Sequence, residues 1–241
     1  MVHSIAASRE GAQISAYLDD TYLEQVDTTV IAVGARDGAP WAAVEDCLFH
    51  PQGGGQPADR GWLEEVEIVP VRDHESGLVV ATAAVGGGLP PLAVGERVRA
   101  RIDLEARMLH AALHTAGHLV EAVGRTQGWE MVGSIHFPGQ ARIEFQAPDA
   151  DARLGDPDGR EEVTAVLREG VAAAVADDLP VSARYLPDGR RVVQLGALHS
   201  APCGGTHVRR LGDLAELVLP TLKIKKGRIR VSYSATHRSP R

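Results

Sequence analysis

Up to about residue 100 the apolar positions come in short runs: QISAYL, TTVIAVG, WAAVEDCLF, GWLEEVEIVPV, GLVVATAAV and ERVRARI. Gly, Pro and Asp punctuate them at regular intervals, a spacing that predicts the strands of a small β-barrel or sandwich. GGGLPPLAVG, residues 86–95, reads either as a linker or as a loop inside the barrel.

Beyond it the apolar period lengthens to that of a helix. Asp103 can cap a helix running from Leu104 to about Gln127, with Gly128 as the stop. GSIHFPGQARIEF predicts a hairpin in which Ile135 and Phe137 face Ile143 and Phe145 around a Pro-Gly turn. GREEVTAVLREGVAAAVADD predicts a second amphipathic helix, ended by Pro180. Short strands follow at VSARYL and RVVQLG, then a loop, HSAPCGGTHV, and one or two β-hairpins in LAELVLPTLKIKKGRIRVSY. The expected class is α+β. A β-barrel domain over residues 1–100, carrying a glycine-rich GGGQ loop, would join a domain over residues 101–241 with helices laid on an antiparallel sheet.

Composition removes some alternatives. A chain of 241 residues can build two ordinary domains, each with its own core. No apolar run approaches the ~18–20 residues that span a bilayer, and MVHSIAASREGAQ lacks the basic-then-apolar order of a signal peptide. Only two cysteines occur, Cys47 and Cys203, so a disulfide framework is excluded and a reducing cytoplasm is the expected location. Cys47, in VEDCLF, reads as a buried strand thiol. From Arg209 onward nine Lys/Arg stand against two acids, a charge of +7, so residues 1–208 carry −14 of a total of −7. An acidic body disfavours indiscriminate nucleic-acid binding, but the basic end permits a local phosphate-contacting patch. Lys223, Lys225 and Lys226 are its candidates, with a solvated charged hairpin as the plain alternative.

Candidate chemistry centres on LHAALHTAGHL. Residues four apart on a helix lie about 40° apart around the axis and ~6 Å along it, so two imidazoles can grip one ion. His110, His114 and His118 form such a stripe. Its outer members stand ~12 Å apart, too far to share a metal, and spacing leaves His110/His114 and His114/His118 both open. CGGTH supplies Cys203 and His207, again four apart, on a loop whose glycines let a thiolate and an imidazole turn to one point. Two nitrogens from a helix with a sulfur and a nitrogen from a loop suit tetrahedral Zn²⁺. A helical HExxH metalloprotease would need glutamate where Thr115 stands.

HTAGH followed by CGGTH resembles the signature of alanyl-tRNA editing proteins of the free-standing AlaX family, relatives of the editing domains of alanyl- and threonyl-tRNA synthetases. The resemblance selects His114 and His118 as the helical pair. CLFHPQGGGQPADRGWL resembles the family's glycine-rich loop, with His50 where tyrosine is commoner, and the order of motifs matches the medium-length form. It implies a small β-barrel joined to an α+β editing domain. It also implies a cytoplasmic hydrolase that cleaves the ester of mischarged tRNA for alanine, chiefly seryl and also glycyl. Rival readings are editing of Ser-tRNA(Thr) by the same chemistry, and a tRNA-binding module whose zinc is purely structural.

The expected metal set is therefore His114, His118, Cys203 and His207, with zinc as cofactor; the catalytic group stays unassigned between a zinc-associated water and a water activated by protein groups or by the ribose hydroxyl. Four protein ligands describe a closed site, whereas catalytic zinc keeps a position open, and the sequence does not resolve that tension. Gly53, Gly54, Gly55 and Gln56 are expected to face the substrate, with Thr115 and Thr206 either bonding it or bonding backbone. His110 would border the pocket or bind solvent, and Arg107 would reach a phosphate or the neighbourhood of Glu121.

Overall fold

The computed structural model describes residues 12–84, 88–147 and 151–238. The N-terminal stretch read above for a signal peptide lies almost wholly outside the described residues, as do residues 86 and 87 of GGGLPPLAVG. The chain divides into two compact units. One holds the chain up to Gln52 together with Ala58–Leu104; the other holds Gly53–Pro57 and everything from Glu105 onward. The first unit thus runs to Leu104, and the GGGQ segment groups with the second.

The first unit is a closed antiparallel barrel of six strands: β1 (Gln25–Arg36), β2 (Ala39–Val44), β3 (Gly61–Leu63), β4 (Val66–Arg72), β5 (Val79–Ala83) and β6 (Arg97–Ile102), ordered β1-β2-β5-β4-β3-β6. Alternation places side chains as a two-residue period requires. In β6, Val98, Ala100 and Ile102 point inward while Arg97 and Arg99 point out. The core gathers Val30, Phe49, Leu63, Ile68, Ala81 and their neighbours. The described part of GGGLPPLAVG connects β5 to β6, two strands of one barrel, and so is a loop.

Two local readings differ. QISAYL is not a strand: Ala16–Asp19 forms a single helical turn, α1, which buries Tyr17, and the Gln13 amide bonds Val44 O, Val79 O and Val79 N–H. GWLEEVEIVPV is not one strand either. It folds back at Glu64, whose φ of 52° gives the hairpin β3–β4. A left-handed glutamate is uncommon, and no Gly or Asn announces it.

The second unit is built around α2 (Leu104–Thr126), buried on every side from Ala111 to Gly124. Gly124 lets it close on the sheet, since a Cβ there would lie 2.5 Å from Phe145 Cζ. Gly170 of α3 (Pro157–Ala176) likewise sits against Val123. Asp156 caps α3 by accepting from Gly159 N–H, with Pro157 at the first helical position. A four-stranded sheet has the order β13-β14-β8-β7, from β7 (Glu130–Ile135), β8 (Arg142–Gln146), β13 (Lys223–Lys225) and β14 (Arg228–Ser232). Three strands, β9 (Val181–Tyr185), β10 (Arg191–Leu195) and β11 (His199–Pro202), form a second sheet, and β12 (Leu214–Val218) pairs with β15 (Ser234–His237). The class is α+β, as the sequence predicts.

The β7–β8 register corrects the expected one. Ile143 faces Ser134, Ile135 faces Arg142, and Phe137 lies beyond the end of β7. An irregularity between Met131 and Gly133 shifts the pairing, which a strict two-residue alternation cannot show. HSAPCGGTHV, expected as a loop throughout, begins as β11. Among the described residues no helix is long and apolar enough to cross a membrane.

Candidate metal centre

The second unit brings His114, His118, Cys203 and His207 together, with one donor atom from each inside a mutual distance of 4.8 Å. The first two stand one helical turn apart on α2, their rings stacked at 5.2 Å and 8°. The other two lie on the turn after β11, which Arg191 ties down through bonds from Nη1 to Cys203 O (2.9 Å) and Gly205 O (3.1 Å). Gly205 must be glycine for this approach, because a Cβ there would lie 2.2 Å from the His114 ring and 2.7 Å from Gln56 Oε1. His110 stays outside the group, which resolves the ambiguity of the histidine stripe.

Hydrogen bonds dictate which ring nitrogens are protonated. Gln56 Oε1 accepts the backbone N–H of Thr206 at 3.0 Å, so the orientation of its amide is fixed. That same oxygen is 2.7 Å from His114 Nδ1, which must therefore carry the proton and leave a lone pair on Nε2. Thr115 repeats the logic. Its hydroxyl donates to Ala111 O at 2.8 Å and accepts from Val208 N–H, so His207 Nδ1, 3.1 Å away, has to donate. Both Nε2 atoms face Cys203 Sγ, at 3.5 Å from His114 and 3.3 Å from His207. Nε2 of His118 is buried with no hydrogen-bond partner.

These observations fit a metal ion. Donors bonded to tetrahedral zinc at ~2.0–2.1 Å (nitrogen) and ~2.3 Å (sulfur) stand about 3.6 Å apart, close to the S···N separations seen. A buried ring nitrogen without a hydrogen-bond partner is costly, and a metal ion meeting its lone pair removes that cost. Burial, helped by neighbouring His199 and His136, holds His118 down at about 3, so it is the neutral form that ligation needs. Burial pushes the Cys203 thiol up, opposed by the Gly205 N–H and by Arg191. A divalent cation would reverse that balance toward thiolate.

Gln56, expected to face the substrate, and Thr115 and Thr206, expected to bond either it or backbone, are each fully buried. Gln56 and Thr115 bond to ligand imidazoles, and the Thr206 hydroxyl accepts from Gln56 Nε2 at 2.9 Å. The glycines before Gln56 make a tight two-residue turn, Gly54 and Gly55 having φ of 56° and 80°. Gly53 and Gln56 exchange N–H···O bonds across it, which removes two of the N–H groups a phosphate cradle would use, while Gly53 and Gly54 remain exposed. Lys223, Lys225 and Lys226 lie on the exposed β13–β14 hairpin, outside the cluster. Arg107 is wholly buried, away from any surface phosphate, and Glu121 bonds Arg125 instead.

Sequence reasoning missed His136 and Tyr233. His136 is buried and stacks on His114 at 4.3 Å, its Nδ1 lies 2.6 Å from the Tyr233 hydroxyl, and its N–H bonds Gly55 O. Burial alone holds this histidine at about 4. The signal was Gly117 inside HTAGH: a Cβ there would fall 2.4 Å from the His136 ring and 2.5 Å from the Tyr233 hydroxyl. A glycine in mid-helix costs ~1 kcal/mol against alanine and asks what packs onto it.

No protein-family model matches the chain. Similar proteins are nonetheless plain. "Alanyl-tRNA editing protein Aarsd1" of Mus musculus is 28% identical over 91% of this chain and 58% of its own length. "Alanyl-tRNA editing protein AlaX-M" of Pyrococcus horikoshii is 26% identical over 83% of this chain and 87% of its own. "Alanine--tRNA ligase" of Methanothrix thermoacetophila is 31% identical over 88% of this chain and 24% of the ligase. The chain spans about half the length of the mammalian relatives it matches. It is a homologue of the alanyl-tRNA editing proteins, and of a segment of alanine–tRNA ligase.

Proposed function

We propose that this protein is a cytoplasmic trans-editing hydrolase for mischarged tRNA(Ala). Its main substrate is Ser-tRNA(Ala) and its second Gly-tRNA(Ala), and it cleaves the aminoacyl ester beside a zinc ion held by His114, His118, Cys203 and His207. The observation that carries the reading is the prepared donor set: two imidazoles whose lone pairs are aimed by Gln56 and Thr115, and a third buried imidazole whose Nε2 has no hydrogen-bond partner. It is joined by the names of the homologues. When bound, zinc would supply a Lewis acid and a lowered pKa for water.

The chain's residues divide the remaining work. Gln56, Thr115 and Thr206 act through the ligands and keep their rings from turning. The exposed backbone of Gly53 and Gly54, with the half-buried Gly55, is assigned to the aminoacylated end of the tRNA. Lys223, Lys225 and Lys226 are assigned to its phosphates. Serine can gain a hydrogen bond that alanine cannot make, which is the difference an editing site has to read.

A tRNA-binding module with structural zinc is the second reading, favoured by the completeness of the four-donor set. Incubation with Ser-tRNA(Ala), Ser-tRNA(Thr) and Ala-tRNA(Ala) separates the cases. Release of serine from the first alone is expected. Release from Ser-tRNA(Thr) alone moves the protein to threonyl editing, and no turnover with stoichiometric zinc leaves the structural module.

A further inference from the structure

The second nitrogen of His118 also has neighbours. His118 Nδ1 lies 3.2 Å from His199 Nε2, and Glu121 Oε2 is 3.7 Å from the first and 3.6 Å from the second. All three side chains are buried. Their positions follow from two local periods: Glu121 is one turn beyond His118 on α2, and His199 opens β11, four residues before Cys203.

This triangle can hold either a second metal ion or a proton. Its edges alone do not decide, because donors about 2.1 Å from a tetrahedral ion would stand about 3.4 Å apart. The rest of the network does. A second ion would require both nitrogens of His118 at once, and so an imidazole stripped of its last proton. It would also set two cations close together in a buried place, beside Arg125, which donates to Glu121 Oε1 at 2.7 Å. A proton asks for neither. With hydrogen on Nδ1, His118 can donate to His199 across the 3.2 Å contact, and Nε2, which has no hydrogen-bond partner, is left to present a lone pair.

We infer that His199 and Glu121 are positioning residues for His118: His199 accepts the Nδ1 proton and so turns the Nε2 lone pair toward the metal, while Glu121 supplies the compensating charge. The inference rests on the metal-centre reading above. A divalent ion with one thiolate and three neutral imidazoles keeps a charge of +1. A carboxylate as deeply buried as Glu121, beside His118 and His199, brings the group to neutrality, and Arg125, largely exposed, holds that carboxylate from the solvent side.

Zinc affinity by chelator competition, the absorption spectrum of the cobalt(II) form and zinc per chain are measured on the parent chain and on His199→Leu, His199→Gln and Glu121→Gln. His199→Leu fills similar space with no acceptor and should bind zinc ~10–100-fold more weakly. His199→Gln can accept the same proton through its side-chain carbonyl and should return affinity and cobalt spectrum toward the parent, a rescue that a mere packing role would not give. Glu121→Gln keeps the shape, loses the charge and should also bind more weakly, which answers the question if His199→Leu does not fold. Unchanged affinity in His199→Leu, or in Glu121→Gln where the former does not fold, overturns the inference and leaves the metal centre standing. A parent with two zinc ions per chain, one lost in His199→Leu, overturns it in favour of a second site. A parent that binds no zinc overturns the metal-centre reading and this inference together.

Discussion

Both units bury polar side chains, and they spend them differently. In the barrel several of the partners are backbone groups. Thr28 accepts the N–H of Asp46, Asp59 accepts the N–H of His50, and Asp73 accepts from Ser76 N–H and hydroxyl while pairing with Arg36. The backbone bonds among these close a turn or loop or tie β1 to the end of β2. In the second unit side chains bond to side chains across long stretches of sequence: Gln56 to His114 and Thr206, Thr115 to His207, His118 to His199, His136 to Tyr233. Polar groups that satisfy backbone stabilise a fold. A network of imidazoles oriented by other side chains, ending on a buried ring nitrogen with no hydrogen-bond partner, prepares a place for something else.

The comparison breaks first at the ligands. His114→Ala/Cys203→Ala should take zinc from stoichiometric to background and abolish deacylation of Ser-tRNA(Ala), with the barrel still folded by circular dichroism. Stoichiometric zinc persisting in that variant would move the metal elsewhere.

The legible part of this site was its spacing. HTAGH and CGGTH carry the four donors because a helical turn and a glycine-rich turn are both local devices, readable within five residues. Spacing could not choose between His110 and His118, since that choice depends on which side of α2 the turn after β11 reaches. The network around the ligands was less visible because it joins positions far apart in sequence: Gln56 meets a residue 150 positions away, and Tyr233 one 97 away. The fold failed to show itself where little in the residue types marked a change of course. Glu64 turns the chain without glycine, and the register slip of β7 between Met131 and Gly133 is marked only by that single glycine, which strict alternation passes over.

A matched pair of glycines sharpens the contrast. Gly117→Ala would place a methyl group 2.4 Å from the His136 ring, and Gly34→Ala one 2.4 Å from Trp41 in the barrel. Each should lower the unfolding free energy by about 1–3 kcal/mol from overpacking. Only Gly117→Ala should also weaken zinc binding, because His136 stacks on His114. Thermal unfolding and chelator competition on both variants check this, and equal zinc affinity would confine the His136–Tyr233 pair to packing.

Gln56→Ala and Thr28→Val form the next pair. Both residues are fully buried, and each truncation leaves a backbone N–H unsatisfied, on Thr206 and Asp46 respectively, a loss of about 1–3 kcal/mol. Gln56→Ala also frees the His114 ring to change tautomer, so zinc affinity and deacylation should fall ~10–100-fold. Thr28→Val should change neither. A Gln56→Ala protein that is destabilised but keeps full zinc affinity would make Gln56 a backbone-satisfying residue of the barrel's kind.

The smallest effect belongs to a surface on which neither pattern operates. Lys223 and Lys225 lie on β13, where Lys223 faces Arg230 and Lys225 faces Arg228, and Lys226 sits in the turn with a φ of 51°. On β8, the strand beyond β14, Glu144 is bonded by Arg142, Arg228 and Arg230, so one carboxylate is shared among three guanidinium groups and positive charge remains in excess. Such a surface can meet phosphates without base contacts, and its contribution should then appear as counterion release. Lys223→Ala/Lys225→Ala/Lys226→Ala should weaken tRNA binding and reduce the slope of log K against log salt by about 2–3. The single-turnover rate at saturating tRNA should stay unchanged, because none of the three lysines belongs to the His/Cys cluster. A salt slope identical to the parent's would leave this hairpin a solvated edge, with the tRNA held elsewhere.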